Sequence, residues 1–147
     1  MTRKEMNKFL EELGGLNREN ALKVTVKKFS DMAIDVDLFN DLVSDFRGGC
    51  NSEHALSHDN CALCELYYKC SAEDCEPCPL DCIGGFEGSF YECIQESLND
   101  DSFEDFKSNC NRLSDFCALV LTRELAGAEE NSIKENSLEY CKEVGLA

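Results

Sequence analysis

The chain has 147 residues, with 14 basic against 30 acidic side chains and a net charge of −16. That excess of carboxylates argues against direct binding to DNA, RNA or an anionic membrane, because phosphate contacts need clustered cations. A hydrophobic content of 43% is too high for a disordered acidic tail, and a chain of this length can bury a core as one domain.

Thr2-Arg3-Lys4-Glu5 has the form of a capping box. Met6, Phe9, Leu10 and Leu13 follow at helical spacing, and Gly14-Gly15 stop the helix. Asn17 can cap a second helix carrying Leu22, Val26, Phe29 and Ala33 on one face; the alternation of Leu22, Val24 and Val26 leaves a short strand as the other option. Asp35 can cap a third helix with Phe39, Leu42, Val43 and Phe46 inward, ended by Gly48-Gly49. Further on, Asn99-Asp100-Asp101-Ser102 reads as a cap that opens a long helix. Its stripe of Phe103, Phe106, Cys110, Leu113, Cys117 and Val120 is spaced 3, 4, 3, 4, 3, and Gly127 ends it. Ser132-Ile133-Lys134-Glu135 is a second capping box, opening a last helix with Ile133, Ser137, Tyr140, Cys141 and Val144 on one face. Cys110, Cys117 and Cys141 lie on these apolar faces and read as core thiols.

The expected architecture is therefore mainly α: a small helical bundle in one domain, 1–147, interrupted by an irregular, cysteine-rich, metal-binding insert. Amino-terminal helices occupy 1–49, the insert 50–98 and carboxy-terminal helices 99–147. Residues 1–49 hold 8 basic and 9 acidic side chains, whereas 50–98 hold one lysine, Lys69, against 10 acids. The insert also contains eight of the eleven cysteines, both histidines and both prolines. No stretch approaches the roughly 18 apolar residues of a membrane span. The first ten residues carry no apolar run of signal-peptide length. A cytoplasmic location is expected, and in a reducing compartment crowded cysteines point to metal ligands or buried thiols rather than disulfides.

Within the insert, Cys61-x2-Cys64 and Cys75-x2-Cys78 are separated by ten residues. A two-residue gap lets both thiolates of a pair reach one ion at about 2.3 Å, and two pairs supply the four soft ligands of a closed tetrahedral zinc site. Cys50, His54, His58, Cys70, Cys82 and Cys93 could form a second set, so one zinc ion or two are expected. The bland alternatives are exposed histidines for His54 and His58, and packed or disulfide-bonded cysteines for Cys70, Cys82 and Cys93. An iron–sulfur cluster would use the same thiolates.

Sharper motifs fail. A zinc deaminase needs His-x-Glu and Pro-Cys-x-x-Cys, but His54 is followed by Ala55-Leu56, and the cysteine after Pro77-Cys78 stands one position late. An EF-hand beginning at Asp35 would lack its ligand and glycine, since Phe39 and Asn40 stand there. Gly84-Gly85-Phe86-Glu87-Gly88 lacks the lysine of a phosphate loop. Cysteines spaced as ligands make poor free nucleophiles, so a non-enzymatic protein is expected; a metal-dependent or thiol enzyme is the alternative.

The run Cys61-Ala62-Leu63-Cys64-Glu65-Leu66-Tyr67-Tyr68, then Cys75-Glu76-Pro77-Cys78-Pro79-Leu80, then Gly88-Ser89-Phe90-Tyr91 resembles a pattern in small cysteine-rich proteins of bacteriophages and bacteria. Phe90 stands where that pattern has proline, while Tyr91 is kept. The likeness covers about 30 residues and none of the flanking helices. It implies a compact cysteine-clustered knuckle and a phage or bacterial source, and it brings no activity with it.

The functional expectation is an acidic, zinc-stabilised interaction protein, of the kind a phage would use to inhibit a host or defence protein by occupying a nucleic-acid-binding surface. Four thiolates around one Zn²⁺ leave a local charge of about −2. Glu73, Asp74, Glu76 and Asp81 crowd the same stretch and are the candidate partner-binding residues. Such a field steers association over a Debye length of about 8 Å. The expected partner is a basic protein surface, in the host cytoplasm if the source is a phage; neither nucleic acid nor membrane is contacted directly. The plain alternative is that the acidity only keeps the protein dissolved.

Overall fold

The computed structural model describes residues 1–48, 62–63 and 90–127. The described part is mainly α, with helices α1 (Arg3–Leu13), α2 (Arg18–Met32), α3 (Val36–Gly48), α4 (Phe90–Asn99) and α5 (Phe103–Leu125). The expected last helix, with Cys141, lies outside the described residues.

The start of α1 is the capping box that its sequence announces. Thr2 N donates to Glu5 Oε2 at 2.7 Å, and Glu5 N donates to Thr2 Oγ1 at 3.2 Å. At the other end Gly14 takes φ of 102°, a left-handed conformation that costs glycine little. Gly15 N then donates to Leu10 O at 2.8 Å, closing the carbonyls that the helix leaves open. The turn into α2 is pinned by the buried Asn20, whose Nδ2 donates to Leu13 O at 3.1 Å and Gly15 O at 2.8 Å. Asn17 caps α2 by accepting from Asn20 N, so the strand alternative for Leu22–Val26 is not adopted. Asp35 Oδ1 accepts from Leu38 N at 3.0 Å and opens α3 as expected.

The element that departs from the sequence reading is α4. Residues 90–98 were assigned to the irregular insert, yet they form a helix that buries Ile94, Ser97 and Leu98. Ile94 and Leu98 stand four apart, on one helical face. The helix closes with paired hydrogen bonds, Ser102 N to Ser97 O at 3.0 Å and Asp101 N to Leu98 O at 3.2 Å, around Asp101 at φ 52°. Aspartate tolerates that left-handed conformation better than most residues. Ser102 then caps α5, accepting from Asp105 N at 3.3 Å. The four residues read as a single cap therefore end one helix and begin the next.

The broadest helix contact is α2 against α5, and α4 lies along α5. Phe106, Cys110, Leu113, Phe116, Cys117 and Val120 of α5 are fully buried. The expected stripe thus faces the core, joined by Phe116, one residue before Cys117. Phe39 of α3 meets this stripe directly, its ring 5.3 Å from Phe103 and 5.1 Å from Phe106. Tilted aromatic pairs of this kind add about 0.5–1.5 kcal/mol beyond area burial. Phe9 of α1 is half-buried, with Lys27 Nζ 5.9 Å from its ring centroid. The side chain of Phe46 lies outside the described residues. Hydroxyls cross the α2–α5 seam, where Ser114 Oγ lies 2.7 Å from Ser30 Oγ and 3.1 Å from Val26 O.

Candidate metal centre and acidic surface

Ala62 and Leu63 stand between Cys61 and Cys64 in the sequence, and both are helical and buried. Leu63 has no exposed surface and belongs to the same hydrophobic cluster as Leu22, Phe29 and Phe106. The sequence reading treated these two residues as a spacer that sets the distance between ligands. The structure makes them part of the helical core. An apolar pair flanked by cysteines was the available signal, masked by the strength of the ligand pattern itself.

The expected quartet Cys61, Cys64, Cys75 and Cys78 lies outside the described residues. So do Cys50, His54, His58, Cys70 and Cys82, and the acids Glu73, Asp74, Glu76 and Asp81. Among the described residues no three His, Cys, Asp or Glu side chains come together as a metal-binding group. Cys93, the one described member of the second set, sits half-buried on α4 and carries a thiol. Its carbonyl accepts from Ser97 Oγ at 2.8 Å and from Asn109 Nδ2 at 3.0 Å, which ties α4 to α5. Asn109 Nδ2 also reaches Ser97 Oγ at 2.8 Å.

Cys110 and Cys117 are core thiols, as their place on the stripe predicts. Burial pushes the Cys110 thiol up to about 12, against the opposing pull of Lys28. At neutral pH it is protonated and no nucleophile. Lys28 itself is only 3% exposed, with Nζ 5.3 Å from the Phe29 ring centroid. A buried lysine had no signal beyond its phase, since Thr25, Lys28 and Met32 share a helical spacing with Ala21.

The described surface is acidic in a patterned way. On α3, Asp37, Asp41 and Asp45 recur every four residues and are exposed, and none of the three forms an ion pair among the described residues. On α2 two lysines are already paired: the half-buried Lys23 with Glu19 at 2.6 Å and the exposed Lys27 with Asp31 at 3.0 Å. Asp100, Asp101, Glu104 and Asp105 add exposed acids at the α4–α5 corner. Among the described residues no helix is long and apolar enough to cross a membrane. The chain matches no protein-family model, no curated protein and no solved structure.

Proposed function

We propose that this protein is an acidic interaction module whose cysteine-rich stretch is held by zinc, and that it engages a basic surface on another protein. The observation that carries this reading is the coincidence of two Cys-x2-Cys pairs with one lysine against 10 acids over residues 50–98. Cys61, Cys64, Cys75 and Cys78 are the ligands of choice, because four thiolates suit a closed tetrahedral zinc site. Glu73, Asp74, Glu76 and Asp81 would then be carried on a ligand-stiffened surface, and a rigid array loses less entropy on binding than a floppy tail. The exposed aspartates of α3 extend the same field over the helical part.

A basic surface evolved for nucleic acid is the natural target of such a field. With the resemblance to phage and bacterial proteins, this favours an inhibitor of a host or defence protein. Two measurements test the reading. Elemental analysis of native protein should find about one zinc per chain, or two if the second set also binds; a metal content below about 0.2 per chain removes the zinc site. Cys64→Ser or Cys78→Ser should then disturb the cysteine-rich stretch far more than Cys110→Ser, because a structural zinc contributes on the order of 10 kcal/mol. Reversal of Glu73, Asp74 and Glu76 to lysine should abolish capture of the partner, and wild-type capture should fall steeply between roughly 50 and 500 mM salt. Capture indifferent to both would assign the acidity to solubility alone.

A further inference from the structure

We propose that the corner between α2 and α3, together with the outer side of α3, is a docking site for a cationic amphipathic helix of another protein, anchored by one apolar side chain. None of its residues belongs to 50–98, so the inference does not depend on the zinc reading above.

Among the described residues four large hydrophobic side chains are exposed, and two of them, Ile34 at 77% and Val36 at 48%, flank Asp35 at this one corner. A partner that covers such apolar surface removes it from water, which favours association. The corner is tight: Asp35 N donates to Met32 O at 3.3 Å, and Asp35 Oδ1 accepts from Leu38 N at 3.0 Å as α3 opens. Isoleucine and valine are branched at Cβ and have few rotamers, so covering them costs little side-chain freedom.

Charge decides the occupant. From Phe29 to Phe46 the chain has five aspartates and no lysine, arginine or histidine. Asp31 is held by Lys27 and Asp35 caps α3. Asp37, Asp41 and Asp45 are exposed and form no ion pair among the described residues. At about 1.5 Å per residue these three rise over about 12 Å, on the side of α3 away from the buried Phe39, Leu42 and Val43. A second helix has the same rise, so cations four residues apart on it meet the row in register. An apolar residue one turn beyond them then reaches Ile34 and Val36. The carboxylates alone would attract any cation and select none. The apolar pair beside them supplies the selectivity, while the charges speed encounter and repel a second copy of this acidic chain.

The experiment measures binding of a fluorescein-labelled helical peptide to the full chain by anisotropy. The peptide carries three arginines four residues apart and one leucine a turn beyond. Asp37→Asn, Asp41→Asn and Asp45→Asn together should weaken binding at least about tenfold at roughly 50 mM salt. Asp100→Asn, Glu104→Gln and Asp105→Asn together remove the same charge from the α4–α5 corner and should change binding less than about twofold. Ile34→Ser should weaken it about fivefold, and by as much at roughly 300 mM salt, because apolar burial is not screened. A peptide with serine in place of its leucine should lose that factor in wild type and nothing more in Ile34→Ser. All the substituted side chains are exposed, so the core is left intact. The inference is overturned if the two charge-removed variants respond alike, as a diffuse acidic field would make them, or if Ile34→Ser binds as the wild type does. Absence of measurable peptide binding overturns it as well. Reversal of Glu73, Asp74 and Glu76 touches none of these residues, so this inference and the reading above fail separately.

Discussion

Helices α2 and α3 are neighbours of similar length, yet they solve opposite problems. On α2, Ala21, Leu22, Val24, Thr25, Lys28, Phe29 and Met32 are all buried. Leu22 and Val24 point about 160° apart at 3.6 residues per turn, so the buried face takes up more than half of this helix, with Lys27, Ser30 and Asp31 left outside. On α3 the described buried side chains are Phe39, Leu42 and Val43, while Asp37, Asp41 and Asp45 line the outside. A broad buried face must satisfy its polar groups locally, and Thr25 Oγ1 does so by donating to Ala21 O at 2.8 Å. An exterior helix is free to carry charge. Among the described residues, the aspartates of α3 therefore stand where they cost the fold least.

That contrast can be broken at the seam between the two helices and α5. Phe106 touches Phe39 of α3 and is fully buried, so Phe106→Ala should cost about 3–5 kcal/mol in denaturant unfolding. A loss below about 1 kcal/mol would mean that the stripe is an exposed surface. Next, Leu22→Ala and Val24→Ala, on opposite sides of α2, should both destabilise by more than about 1 kcal/mol. One neutral result would show that one side of α2 faces water. Thr2→Ala should cost about 1 kcal/mol through loss of the α1 cap. Hydrogen bonds from Thr2, the backbone donor first, hold the Glu5 carboxyl below its ordinary range. The stability it adds is present above the ordinary carboxylate range and drains away as pH falls through the lowered value. A thermal-unfolding series against pH should accordingly be flatter on its acid side for Glu5→Gln. The smallest effect is expected on the outside of α3, where Asp41→Asn should change stability by no more than about 0.5 kcal/mol while weakening partner capture at low salt.

Where one face is apolar and the other charged, the sequence was easy to read. The α3 phase, the α1 capping box and the α5 stripe all follow from spacing, because each element meets water on one side. For α2 the periodic signal is blurred, since apolar residues occur on most sides; this is also why a strand was an option there. The helix at Phe90–Asn99 escaped because Cys93 and the motif residues before it drew the stretch into the insert, although Ile94 and Leu98 already stood at helical spacing. The buried Lys28 has no signature in one sequence, because burial of a charge depends on neighbours brought in by the fold. Of the candidate site, spacing gives the proposed ligand set, and the described structure shows only that Ala62 and Leu63, between two of its members in sequence, are buried.

The protonated, enclosed Cys110 has a practical consequence, which Cys117 shares by virtue of its burial. Alkylating reagents attack thiolates that they can reach. In the folded protein these two sulfurs should stay unlabelled at neutral pH, and mass spectrometry of briefly alkylated protein should find them unmodified. Their silence supplies an internal zero for chemical footprinting. Label appearing on the Cys110–Cys117 peptide reports that the core has opened, whereas label elsewhere reports only the reach of the reagent.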